Sequence, residues 1–318
     1  MRKFLVAAAV LLVSGIANAQ ATYPTKPVRV IVPFAAGGAT DLITRLVTTK
    51  LSENMGKQFY VENRGGAGGA VGSDLAAKAP GDGYTLVMGT VGTHGINFSL
   101  FKNPLYDPVK DFVPLTRVAV LPSMILVNDA LPVKNIQELV RYAKENPGKL
   151  AYGSAGNLLY LTGALLTSMA GIEMLHVPFK GVGPQMSAIT NNDVQVAITP
   201  VFSAMPIIRT GKARGIAVTG AKRTPSAPEY PTVAESGLPG YDAVSWYGLF
   251  VTAGTPRNIV DTLSVEIRKV LATQEFKDAL HSQGAEPVSD TVEEFAAIVK
   301  SDVAKWAKIV KETGATVN

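Results

Sequence analysis

The sequence contains no cysteine. That excludes disulfides, thiolate metal sites, a cysteine nucleophile and a lipid-modified N-terminal cysteine. Histidine is almost as scarce: His94, His176 and His281 lie far apart and show neither HxxxH nor HExxH spacing, so no histidine metal motif is present. There is no Lys/Arg run and no interleaving of aromatic with basic residues. Of the net charge of +5, Arg2 and Lys3 supply two, leaving +3, which makes nucleic acid a poor partner. The glycine-rich loop RGGAGG at 64–69 matches neither GxxxxGK[ST] nor GxGxxG, so nucleotide binding is unsupported. Long apolar runs are missing too. The only such run, Phe4 to Val13, is too short to span a bilayer.

That run belongs to an export signal. Arg2 and Lys3 form a charged start, the apolar segment follows, and Ala17-Asn18-Ala19 is an A-x-A cleavage site before Gln20. We read residues 1–19 as a cleavable signal peptide and the remainder as a protein free in a bacterial periplasm. The chain of 318 residues is 47% apolar and 17% charged, a globular composition large enough for two domains.

The chain is organised around residues 28–41, VRVIVPFAAGGATD. Val28 to Val32 are mostly β-branched and apolar, as in a buried strand. Pro33 stops the ladder, Gly37-Gly38 turn the chain, and a helical pattern opens at Thr40-Asp41. A strand, small-residue turn and helix start gather unpaired backbone N–H groups at the positive end of a helix dipole, which holds carboxylates without a cationic side chain. The same stretch is equally compatible with a plain βα turn. Asp41 reads as an N-terminal cap or dipole partner, or else as a residue that shapes the loop or accepts a ligand ammonium.

Strand and helix patterns then alternate: strands over 59–62, 85–89, 112–120, 123–127, 174–177, 194–198, 215–219 and 246–252, with intervening helices. Gly56 and Gly314 read as helix ends, Thr291 with Glu294 as a capping box, and Thr255-Pro256 as an N-cap followed by proline. After Ala151-Tyr152, Gly153-Ser154-Ala155-Gly156-Asn157 forms a second glycine loop, with Ser154 and Asn157 as side-chain donors, ahead of an apolar helix. Repeated βα units imply an α/β fold of two lobes, each a doubly wound, mainly parallel sheet. The lobes are 20–119 with 245–318, and 120–244, joined by crossings near 117–122 and 244–248. Ligands bind at the carboxyl ends of such strands and in clefts between lobes.

Catalysis finds no positive support. Ser154 lacks the GxSxG elbow, because Tyr152 precedes it by two. His176 lies in an apolar strand context and reads as a hydrogen-bonded structural residue; His94 follows a strand end and reads equally as structural or ligand-facing. A Ser154–histidine contact would reopen an esterase reading.

Seven segments carry a family resemblance: YPTKPVRVIVPFAAGGATD (23–41), VENRGGAGGAVGSDLAAKAPGDGYTL (61–86), GTHGIN (92–97), YDPVKDFVPLTRVA (106–119), HVPFKG (176–181), GKARGIAVTGAKR (211–223) and PTVAESGLPGYDAVSWYGLFVTAGTP (231–256). Over essentially the whole mature chain the sequence resembles the periplasmic substrate-binding proteins of tripartite tricarboxylate transporters, the Bug or TctC family. The resemblance implies a type II periplasmic binding protein clamshell. A ligand carboxylate would lie between Phe34, Ala36, Gly37, Gly38 and Asp41 on one side and Ser154, Ala155, Gly156 and Asn157 on the other, with Thr93 and His94 lining the cleft farther out. It also implies delivery of the ligand to membrane permease subunits, with no ATP, metal or other cofactor. Where the family continues from its second loop with a small, hydroxylated run and His-Leu, this chain has Asn157-Leu158-Leu159-Tyr160-Leu161. Where the family often carries an acidic residue after its second-domain strand, this chain has Thr199-Pro200. Both departures favour a di- or tricarboxylate or an aromatic acid over an acidic amino acid. The expectation is a monomeric, non-enzymatic solute-binding protein; a ligand sensor for a membrane kinase would use the same fold.

Overall fold

The computed structural model describes residues 23–282 and 284–314, so the expected signal peptide lies outside the described residues. The chain begins with β1 (Val28–Val32), α1 (Ala39–Met55), β2 (Phe59–Asn63), α2 (Ala70–Ala77), β3 (Thr85–Thr90), the short α3 (Asn97–Leu100) and β4 (Phe112–Leu121). A second run follows: β5 (Ser123–Asn128), α4 (Ile136–Glu145), β6 (Ala151–Ser154), α5 (Asn157–Ala170), β7 (Leu175–Pro178), α6 (Val182–Thr190), β8 (Val196–Pro200), α7 (Val201–Arg209) and β9 (Ala213–Val218). The chain then returns through β10 (Ser245–Thr252), α8 (Arg257–Ala272), α9 (Gln274–Ser282), β11 (Glu286–Pro287) and α10 (Val292–Thr313).

These strands form two mixed sheets, in the orders β11-β4-β10-β3-β1-β2 and β7-β6-β8-β5-β9. The βα units give the parallel pairs β1–β2, β1–β3, β6–β7 and β6–β8. In the first sheet β10 runs antiparallel to β3 and β4, and in the second β5 runs antiparallel to β8 and β9. These are the two strands entered from the opposite lobe, and that is why they run backwards. Sequence periodicity locates a strand without giving its direction.

Alternation along β1 shows how the first lobe packs. Val28, Val30 and Val32 join Leu86, Met88 and Leu249 under α1 and α8, through Ile43, Val47, Leu263 and Ile267. Ile31, Val87 and Phe250 face the other way, towards Phe295, Val299 and Trp306 of α10. Helix α10 reaches past its own lobe. Ser168 Oγ on α5 donates to Glu312 Oε2 at 2.7 Å, and one apolar cluster runs through both lobes.

Helix α10 starts with the expected capping box, and Gly56 and Gly314 end α1 and α10 in the left-handed region. Three local features go beyond those expectations. The stretch after β3 is a π-turn over Gly92–Ile96 before α3, because Thr93 Oγ1 takes the Thr90 N–H at 2.9 Å in place of a regular helix start. The N-cap of α8 is Pro256, and Thr255 Oγ1 instead donates to Thr252 O at 2.8 Å. The two-residue strand β11, which sequence analysis missed, pairs with Val120 and Ala119.

Candidate functional site

Strand register places the cleft. β4 ends on the carboxyl edge of the first sheet, a single residue, Pro122, follows, and β5 begins opposite Pro200 at the carboxyl end of β8. β10 returns with Ser245 opposite Leu121 and Tyr247 opposite Thr90. Both crossings therefore join one carboxyl edge to the other, and the loops after β1, β6, β7 and β8 rise from those edges. Arg117 braces this junction with paired bonds to Asp290, Nε to Oδ2 at 2.7 Å and Nη2 to Oδ1 at 2.9 Å.

The helices that start on these loops lack side-chain caps. N-cap residues Gly38 of α1, Gly156 of α5, Gly181 of α6 and Pro200 of α7 make no side-chain hydrogen bond to the helix start. By contrast, α4 and α10 are capped by Asn135 and Thr291. Uncapped N-termini leave N–H groups and a positive dipole end for an anion.

In the first lobe, Ala35 to Gly38 are exposed, and Gly37 takes φ +82°, a conformation L side chains rarely adopt. Asp41 is 3% exposed and shapes this loop. Its Oδ2 accepts from Gly37 N at 2.9 Å and Arg45 Nε at 3.1 Å, and its Oδ1 accepts from Asn63 Nδ2 at 3.0 Å. Desolvation pushes the Asp41 pKa up, but the Arg45, Gly37 and Asn63 hydrogen bonds outweigh it and hold the carboxyl below the usual range. Of the roles the sequence left open, the geometry gives Asp41 the loop-shaping one. Asn63 also donates to Phe34 O at 3.2 Å. Sequence analysis missed Asn63 and Arg45; the available signal was a polar residue at the carboxyl end of the strand beside β1, where Asn63 sits opposite Val32. The RGGAGG loop packs beneath: a side chain at Gly69 would meet the Phe34 ring at 3.0 Å and Thr93 Cγ2 at 2.5 Å.

Thr93 and His94 do not line the cleft surface in this structure; both are fully buried. His94 stacks on Phe250 with ring centroids 4.0 Å apart and meets Phe112 edge-on at 4.7 Å, and its Nδ1 is 2.8 Å from Thr93 Oγ1. Burial alone pushes its pKa down to about 3, so it is a neutral core residue. An apolar setting formed by residues distant in sequence decided this. Thr199 is also fully buried at the carboxyl end of β8, its hydroxyl without a hydrogen-bond partner among the described residues.

In the second lobe, Gly156 and Asn157 are exposed and Ala155 is half-buried. Gly156 has nothing within 4 Å of its would-be Cβ. Beneath them Gln185 Nε2 donates to Gly153 O and Ile198 O, both at 2.8 Å, tying β6 to β8. Ser154 is 1% exposed, and its Oγ lies 2.8 Å from His176 Nε2. The His176 ring packs against Tyr160, at 4.3 Å, and Tyr152, at 5.1 Å. The Ser154–histidine contact is thus present. Among the described residues no carboxylate hydrogen-bonds to this imidazole to complete a triad.

A two-lobed α/β clamshell of this kind is the fold of the periplasmic binding proteins. Residues 43–315 match the family model for the tripartite tricarboxylate transporter family receptor. The chain belongs to that family. It is 31% identical over 297 residues to Protein BugT of Bordetella pertussis, covering 92% of this chain and 91% of BugT. Among solved structures, it is similar to the periplasmic binding protein BugD at 34% identity and TM-score 0.70, covering 92% of this chain and 99% of the other. An R. palustris protein solved with adipate is 35% identical at TM-score 0.74, covering 93% of this chain and 100% of the other. MatC from Rhodopseudomonas palustris with bound malate is 32% identical at TM-score 0.71, covering 91% and 100%. Among the described residues, no helix is long and apolar enough to cross a membrane.

Proposed function

We propose that this chain is a periplasmic solute-binding protein that captures a small organic carboxylate between its lobes and hands it to a tripartite tricarboxylate-type membrane permease. The observation that carries this reading is the pairing of two glycine loops, each opening an uncapped helix, on the two carboxyl edges that the crossings join. The adipate and malate bound by two relatives support a carboxylate. The lobes, residues 20–119 with 245–318 and residues 120–244, rotate about the crossings, and the ligand stabilises the closed form by touching both loops. Gly37, Gly38, Ala36 and the Phe34 backbone form one wall; Ser154, Ala155, Gly156 and Asn157 form the other. Asp41, Thr93, His94 and Thr199 support these walls from behind. The ligand is a di- or tricarboxylate or an aromatic acid rather than an acidic amino acid, because no acidic side chain stands at Thr199-Pro200 for an ammonium. The protein works as a monomer after removal of residues 1–19.

A thermal-shift screen against a panel of carboxylates and matching amides, on protein unfolded and refolded to strip bound ligand, tests the reading. An acid at 100 times its Kd adds about 2.7 kcal/mol of stability, and the matching amide adds none. No response to any acid removes the carboxylate assignment. The Ser154–His176 contact favours a second reading, an esterase. Turnover of p-nitrophenyl acetate that is abolished by Ser154→Ala would establish it.

A further inference from the structure

We infer that His176 is a positioning residue for the second wall: it sets the direction of the Ser154 hydroxyl and so makes carboxylate capture depend on a proton at Nε2. The inference rests on the carboxylate reading above. A serine hydroxyl has one hydrogen and two lone pairs. At 2.8 Å from His176 Nε2, Ser154 Oγ either receives a proton from that nitrogen or gives its own to it. If Nε2 carries the proton, the serine hydrogen is free for a ligand carboxylate. If Nε2 is bare, the hydroxyl turns inward and shows the anion only lone pairs.

Three observations show that the ring is held in place while its proton is not. The rings of Tyr160 and Tyr152 pack against it, with centroids 4.3 and 5.1 Å away. Register holds the partners together, with Tyr152 opposite His176 and Ser154 opposite Pro178. Yet among the described residues the second ring nitrogen, Nδ1, has no hydrogen-bond partner that would fix the tautomer. His94 differs, since its Nδ1 is tied to Thr93 inside an apolar core. An arriving carboxylate therefore selects the Nε2–H form, and below neutrality the imidazolium, which adds charge to the same bond.

The titratable groups facing His176 are the phenols of Tyr152 on β6 and Tyr160 on α5, and no charged side chain acts on its titration. Burial lowers its pKa in the empty protein, and a bound anion raises it. Affinity consequently rises as pH falls through the bound-state pKa, and levels off below the empty-state pKa.

The test uses mature protein with adipate as probe, titrated calorimetrically from about pH 8 to about pH 5.5. In parallel, nitrogen NMR of the imidazoles reads the tautomer, with His94 and His281 as internal references. Wild type takes up a proton on binding, and His176 moves towards Nε2–H while the other two rings stay unchanged. His176→Phe binds adipate with an affinity that does not change with pH, and its loss against wild type grows to about tenfold at the acid end, the loss expected for one charge-assisted hydrogen bond. His176→Gln, which keeps an N–H donor at similar reach, recovers most of that loss without the pH dependence. Ser154→Ala abolishes the response of the His176 nitrogens. Unmoved His176 nitrogens on saturation with adipate, or equal affinities for the Phe and Gln variants, overturn the inference. Absence of adipate binding by folded wild-type protein overturns the carboxylate reading itself and takes the inference with it.

Discussion

The first glycine loop is pinned from below and the second is left loose, although both follow a strand and open a helix. In the first lobe Asp41, Asn63 and Arg45 bind the loop and each other, and Gly65 and Gly69 bring a second loop against Phe34 and Ala35. In the second, Gly156 and Asn157 are exposed, and the side-chain bonds lie at the strand end, from Gln185 to Gly153 O and between Ser154 and a histidine 22 residues away. The difference assigns the walls different tasks. On the proposed capture, the first wall presents N–H groups held by Asp41 and Asn63, and the second adjusts when the lobes meet. Their histidines differ likewise: His94 is neutral in a core, and His176 is half-buried on its sheet beside Ser154.

Acid should separate the two histidines most strongly. The His94 pKa falls from the ordinary 6.5 to about 3 on folding, so the unfolded chain binds a proton that the folded one refuses. The stability this represents is fully present above pH 6.5 and is lost as pH falls towards about 3, on the order of 4 kcal/mol in all. Denaturant melts of His94→Phe across that range should lose stability less steeply than wild type; parallel slopes would discard the account.

Next in size is the packing beneath the first loop. A side chain at Gly72 would meet Pro33 Cα at 2.7 Å and the Arg64 carbonyl. Gly72→Val should therefore destabilise the protein by about 3 kcal/mol, read from the denaturant midpoint. Gly156→Ala meets no atom and pays only for its φ of +96°, about 1 kcal/mol. Equal effects would show that the loops are equally packed.

Binding should respond at both walls. Ser154→Ala should weaken adipate about ten- to a hundredfold, roughly 1.5–3 kcal/mol, with the melting temperature unchanged. An unchanged Kd would remove Ser154 from the site. Asp41→Ala should weaken adipate less, about tenfold, because it acts through the loop; it should also lower stability, since Gly37 N–H and Asn63 lose their partner. Weakened binding with no stability change would indicate direct contact with the ligand.

Local signals in the chain were enough for the order of strands and helices, both glycine loops, the Thr291 capping box and the glycine helix ends, because these depend on residues within a few positions of one another. The family resemblance brought the two loops together as one site. Side-chain partnership and burial lay beyond reach of the sequence. Asp41 could have faced a ligand or its loop, and the choice fell to Asn63, which register places beside β1. His94, at a strand end, could have faced the cleft, yet Phe250, arriving 156 residues later on a strand from the other crossing, closed over it. Ser154 and His176 meet because β6 and β7 lie parallel in one register, and a slip of a single residue would turn them to opposite faces of the sheet. Sequence by itself determined which segments become strands, helices and turns, since that depends on neighbours along the chain. Only the tertiary structure decided which strands run backwards, which histidine is sealed and which one meets Ser154, since those depend on the segments that fold against them.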